Sequence, residues 1–429
     1  MKISKTSISN WLATGFFLGD QNFVKNKYIG DDFSSNFEWS SNPREISFES
    51  AVSEFSNIFE NIIKNSIDGK NIILPLSGGL DSRTLAVALR GHKNVIAISY
   101  EFEGGIRETD YAQKIAEAND WEFHKYQIKR GYLWDNIEKI SNITGCQTEF
   151  THPRQMAIID EISKFGDVFL SGQWGDVLFN SYGMTSNASS TEQILKLIKL
   201  IAKPGGVELS KDLWEFWGLD GDFETSFYQK IKSEYDKIKI EEPNAKIRAF
   251  KSLQWAPRWA NSNLKIFSHK KDIILPYYDK SMLEFISSVP EKILDKRRIQ
   301  IEYIKNNSFE LSSIPWQEYD LNLYQYQNFN SLYFPRRVFR YSKRIIREKI
   351  MKKNKIIQRN WELQFIGKKN EDKLKEWLFE TEEIKNIIPM KILKKYYTNF
   401  KEVDPIKYSH PISMLLTLAV WSKFYWKNN

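Results

Sequence analysis

Apolar positions in the first half of the chain switch repeatedly between two periods. Phe48, Val52, Phe55, Phe59 and Ile62 recur at helical spacing, which predicts an amphipathic helix over 48–67 that ends near Gly69. The mostly apolar run NIILPL at 71–76 has the length of a buried strand. A helix over 82–90 closed by Gly91, a strand over 94–102, a helix over 108–119 and a strand over 121–128 follow. Another helix over 154–165, closed by Gly166, leads into a fourth strand over 167–172. Strands alternating with helices in this way predict an α/β fold, a doubly wound parallel sheet with helices on both faces. Residues 1–45 are short apolar pieces among Asn, Ser, Gly and Asp, a pattern for turns that leaves room for a hairpin. Beyond 185 the chain reads as mainly helical. Within it, 322–334 suits a loop or lid and 413–426 a docking helix.

Composition narrows the chemistry. With 41% apolar and 14% aromatic residues the chain is globular rather than disordered. Cys146 is the single cysteine, which excludes a disulfide framework and cysteine-rich metal sites. Five scattered histidines have no metal-ligand spacing, so a metal must be held by oxygen, which points to magnesium. The net charge of +8 is concentrated in 336–359, where Glu348 is the sole acid. That segment reads as a solvated basic helix or as a surface for an anionic partner: nucleic acid, a phosphorylated glycan carrier or an acidic membrane leaflet. No stretch is long and apolar enough to span a bilayer. The apolar patch near the start is broken by Trp11, Thr14 and Gly15 and has no small-residue cleavage site, so a cytoplasmic location is expected.

The densest chemistry lies between the first strand and its helix, in Ser77-Gly78-Gly79-Leu80-Asp81-Ser82. A loop leaving a parallel strand and opening a helix aims backbone N–H groups and the positive helix end at one spot. Gly78 and Gly79 admit an anion close to the backbone, and Ser77 and Ser82 add hydroxyl donors. Asp81 would repel a phosphate unless a magnesium ion lies between them, which makes it a candidate metal ligand. A bare glycine turn would need neither the serines nor the acid.

S-G-G-x-D-S at such a junction resembles the pyrophosphate-binding loop of the N-type ATP pyrophosphatases. The wider chain resembles the synthetase domain of asparagine synthetase and its relatives over about residues 8–320 and the final helix. SGQWGDVLFNSYG at 171–183 is similar to the S-G-E-G-A-D-E-L-F-G-G-Y segment of that family, with Asp176 on its aspartate. Arg154 in THPRQMA stands where the family keeps an arginine. DIILPYYDKSMLEFISSVP at 272–290 resembles E-A-R-V-P-F-L-D and its helix, and RRIQIEYIKNNSFELSSIPW at 297–316 resembles the K-x-x-L-R region.

The resemblance implies ATP and Mg2+ as cofactors. The loop would grip the departing pyrophosphate, Asp81 and Asp176 would share the magnesium, and Gly172 and Arg154 would lie at the nucleotide. Backbone groups around Ile98 to Tyr100 would hold adenine. It also implies three segments: a linker-like 1–47, a synthetase domain over 48–320 and a helical C-terminal region over 321–429. Lys2 stands where a family glutaminase would open with a cysteine, so ammonia would come free or from a separate glutaminase chain, or an amine would replace it.

Several positions depart from the family pattern. Gln173 stands in place of an acid and cannot take a proton. Val177 replaces the acid after Asp176, Asp272 shortens a glutamate, and Ile274 replaces an arginine. Near the catalytic lysine the chain offers Lys296, Arg297 and Arg298, and the best register puts Arg298 on that lysine. The expected activity is an ATP-dependent amide-forming ligase that adenylates a carboxylate other than aspartate, such as a sugar uronate or a peptide carboxylate. The alternatives are a tRNA-modifying N-type ATP pyrophosphatase and a catalytically degenerate nucleotide-binding scaffold.

Overall fold

The structure is a computed structural model that describes residues 2–24, 37–105, 107–150, 153–327 and 365–426. The basic segment 336–359 and most of the 322–334 stretch lie outside the described residues. Strands β1 (Ile72–Pro75), β2 (Val95–Phe102), β3 (Glu122–Ile128), β4 (Val168–Leu170) and β5 (Asp272–Ile274) form one parallel sheet in the order β3-β2-β1-β4-β5. The first four are the expected strands, slightly trimmed. The fifth is three residues long and too short to announce itself by pattern.

Alternate residues of the strands feed two cores. Ile72 and Leu74 of β1 and Val95 and Ala97 of β2 point into one apolar cluster, together with the helices Phe48–Ile67 and Leu80–Ala88. Ile73, Ile98 and Phe169 point into the other, together with the helices Tyr132–Thr144 and Pro405–Tyr425. A sheet buried on both faces has near-continuous apolar strands, and this is why β1 was readable as a run. The fold is α/β and doubly wound. The chain moves outward from β1 to β2 and β3, then returns to place β4 on the other side of β1. Loops leaving β1 and β4 therefore diverge, and a crevice opens at their carboxyl ends.

Three local outcomes differ from the pattern reading. The start of the chain forms a helix, Lys5–Thr14, closed by Gly15 at φ 89°. Among the described residues of this stretch, the hairpin expectation survives as one antiparallel bridge, Ile3 to Val24. That helix is buried almost all round, and two of its hydroxyls bond back to the helix itself: Ser9 Oγ donates to Lys5 O and Thr14 Oγ1 to Asn10 O. No amphipathic stripe exists to reveal it. The expected helix over 154–165 is a 3₁₀ turn, Arg154–Ala157, followed by a short helix, Ile159–Ile162. The docking helix begins earlier than its apolar run, spanning Pro405–Tyr425 and passing through Pro411. Among the described residues no helix is long and apolar enough to cross a membrane.

Candidate active site

The crevice holds a cavity of about 240 Å³. Its walls come from three strand ends: Pro75 to Ser77 with Asp81 and Ser82 after β1, Ile98 to Tyr100 on β2, and Ser171 to Trp174 with Asp176 after β4. Glu108, Arg154 and Phe267 complete it.

The loop after β1 is tied by its own serines. Ser77 and Ser82 hydroxyls meet at 3.0 Å, Ser77 N–H donates to Ser82 Oγ at 3.2 Å, and Gly79 N–H donates to Ser77 Oγ at 3.3 Å. Gly79 caps the helix Leu80–Ala88 without a side-chain partner, which leaves the helix's first amides for an anion. Gly78 has a packing reason as well. A Cβ there would stand 2.7 Å from Gln317 Cβ and 2.8 Å from Tyr111 Cβ. The two loops also close on each other through glycines. A Cβ on Gly172 would lie 3.1 Å from Asp81 Cβ, and one on Gly175 would collide with Asp81 Oδ1.

Asp81 is the hub. The backbone N–H of Asp176 donates to its carboxylate. Arg297 Nη2 donates to its Oδ1, as does Gln300 Nε2 at 3.0 Å. Gln300 Nε2 also reaches the Tyr277 hydroxyl at 2.9 Å, and its Oε1 accepts from Arg297 Nε at 2.8 Å. Burial pushes the Asp81 carboxyl up, Arg297 opposes this, and the charge of Asp176 adds to it, so the group stands at about 6. A carboxylate whose proton affinity is raised by a neighbouring carboxylate suits a cation shared by the two. One or two protein carboxylates are what magnesium uses when phosphates supply its other oxygens. The donor set therefore fits the implied magnesium, and the helix amides fit a phosphate.

Other expected residues are distributed unevenly. Arg154 faces the cavity with its guanidinium 5.5 Å from the centroid of the Tyr100 ring. Gln173 and Gly172 line the cavity. Asp272 is exposed at the first position of β5, level with Val168 at the opposite end of β4 from the crevice. Lys296 points outward with a 71% exposed side chain. Arg298 lies over the Phe48 ring at 4.5 Å, and its neighbour Arg297 is the cation at Asp81. Lys296 and Arg297 both adopt left-handed backbone, φ 57° and 59°, and this twist decides which arginine turns inward. No local sequence signal carries it.

Trp174 was also missed, although a signal existed: it replaces the glycine in the family's S-G-E-G-A-D segment. It keeps a glycine-like φ of 75°, is 2% exposed, and packs on Tyr278 with ring centroids 3.9 Å apart. Holding a bulky residue left-handed costs about 1–2 kcal/mol. Such strain concentrates at functional sites.

No curated protein matches the sequence. The family model for asparagine synthase matches residues 68–300, more than half of the chain and the span that carries every strand and both acids, and the chain belongs to that family of ATP-dependent amide-forming ligases.

Proposed function

We propose that this chain uses ATP to adenylate a carboxylate other than aspartate, releases pyrophosphate, and transfers the acyl group to ammonia or an amine. The observation that carries the reading is the convergence of Asp81 and Asp176, from the loops after β1 and β4, beside the Ser77–Ser82 loop in one cavity. In this reading the Leu80–Ala88 helix amides and the two serine hydroxyls hold the leaving pyrophosphate. Asp81 and Asp176 would hold a magnesium ion, which would supply the positive charge that lets phosphates sit beside carboxylates. The Arg297 guanidinium, paired with Asp81, would stabilise charge developing on the phosphates beside that acid.

The acceptor side supports a substrate other than aspartate. Gln173 and Trp174 line the wall where relatives carry an acid and a glycine, and Tyr278 backs Trp174. A bulky aromatic wall suits a ring or an extended chain better than a small amino acid. The test is exchange of radiolabelled pyrophosphate into ATP, run against uronic acids, peptides and amino acids. Stimulation by a uronate or peptide, lost in Asp81→Ala, is the expected result. Stimulation by aspartate alone, or full exchange in the Asp81 variant, would overturn the reading.

A further inference from the structure

The peptide between Gly78 and Gly79 is a soft point of the loop after β1. It is trans, so the Gly78 carbonyl and the Gly79 N–H point to opposite sides of the chain. Turning that plane over changes ψ of Gly78 and φ of Gly79, and neither residue has a Cβ to oppose it. As it stands, the Gly79 N–H points at the hydroxyl of Ser77, a residue of the cavity wall. Turned over, the peptide would present a carbonyl oxygen there, which repels a phosphate.

Arg83 holds the other side of that plane. It lies four residues beyond Gly79 on the helix Leu80–Ala88 and is fully buried. Its Nη1 donates to Ile314 O at 2.7 Å and Leu311 O at 3.3 Å, and its Nη2 to Pro315 O at 2.9 Å and Gly78 O at 3.4 Å. The first three carbonyls belong to the end of the helix Phe309–Ser313 and the turn after it, where helical partners run out. The fourth belongs to the glycine peptide. The backbone N–H of Gln317, two residues past Pro315, donates to the same Gly78 oxygen at 3.3 Å. Both donors hold this carbonyl on the side opposite the Gly79 N–H. At these longer distances the guanidinium acts on the carbonyl as a full charge on a dipole.

Capping a helix end does not require a buried cation. Among the described residues Arg83 donates to backbone carbonyls and pairs with no acid. A buried charge without a counter-charge is costly to keep for packing alone. What the planar fork adds is reach: it spans carbonyls of two separate segments at once, and a single ammonium cannot.

We infer that Arg83 is a positioning residue for pyrophosphate, holding the Gly78 carbonyl back so that the Gly79 N–H stays turned to the phosphates of the leaving group. This rests on the adenylation reading, in which the loop holds pyrophosphate and AMP keeps the remaining phosphate.

The test needs no carboxylate substrate. Calorimetric titration of the full chain with magnesium pyrophosphate, and separately with AMP, compares the wild type with two variants. Arg83→Lys keeps a cation for the end of the helix Phe309–Ser313 and loses the fork. Its affinity for pyrophosphate should fall by about tenfold, the scale of one lost charged hydrogen bond, with its affinity for AMP unchanged. Arg83→Met should lose at least as much, and where it does not fold, Arg83→Lys decides. A lower thermal melt with pyrophosphate affinity intact, or an equal fall for both ligands, makes Arg83 a support of the fold alone. Either result overturns the inference and leaves the adenylation reading standing. Absence of pyrophosphate binding in the wild type overturns both.

Discussion

Two adjacent arginines are sent to different places by one strained turn. Lys296 and Arg297 each hold a positive φ, and the helix Arg298–Asn307 starts immediately afterwards. Arg297 is turned toward Asp81 with its side chain 13% exposed, while Arg298 lies against the Phe48 ring. Arg297→Ala should therefore lower pyrophosphate exchange by about 10²–10³-fold, the scale of a lost donor to developing charge. Arg298→Ala should leave exchange within about threefold and cost about 0.5–1 kcal/mol of stability, the worth of an exposed cation–π pair. Exchange rates and thermal melts of both variants decide this, and the reverse pattern would mean that the turn rearranges in the working enzyme. The Ser77–Ser82 loop could be singled out in the sequence because its serines, glycines and acid fall within six neighbouring positions. The inward arginine was not, since backbone signs at two ordinary residues choose it.

Among the helices, one glycine pair sets how closely three of them approach. Gly205 and Gly206 lie in the first turn of the helix Pro204–Phe216. A Cβ on Gly206 would collide with Leu12 O of the N-terminal helix and stand 3.0 Å from the His410 ring of the last helix. One on Gly205 would collide with Lys407 O. Gly→Ala inside a helix ordinarily stabilises by about 0.5–1 kcal/mol. Here the Leu12 carbonyl belongs to a packed backbone, so overpacking should win and Gly206→Ala should destabilise by about 1–3 kcal/mol. Urea unfolding measures the sign, and a stabilised variant would show that the helices can part freely. The same packing explains which elements could be read from the sequence. Strands β1, β2 and β4 and the helix Phe48–Ile67 present runs or stripes to a core. The helix Lys5–Thr14, wrapped by neighbours on all sides, shows neither, and its polar residues read as loop.

At the scale of the molecule, the two ends of the chain meet on one face of the sheet. Trp421 stacks on Phe23 with centroids 4.4 Å apart, and His410 Nε2 lies 3.0 Å from Leu12 O. The last helix also reaches toward the active site. Ser413 Oγ donates to the buried Glu149 at 2.8 Å, and the charges of Glu149 and Arg154 both act on buried Tyr132. Arg154 in turn lies over Tyr100 in the cavity wall. Ending the chain before Pro405 would remove Ile412, Met414, Leu415, Leu416, Leu418, Val420 and Trp421, all buried, from the shared core. At about 1.5–3 kcal/mol for each large apolar side chain, the loss is on the order of the whole stability of a domain. The truncated chain should therefore lose its cooperative melt and its near-ultraviolet circular dichroism while keeping some helical signal, as a collapsed chain without fixed packing does. Substituting Ser413→Ala in the full chain separates the two functions of the helix. It keeps every apolar contact, so the cooperative melt should persist, while loss of the hydrogen bond to Glu149 should raise the KM for ATP through Arg154. A truncated chain that still melts cooperatively would show that the sheet folds without its C-terminal cover. An unchanged KM in the Ser413 variant would show that the helix supports the fold alone.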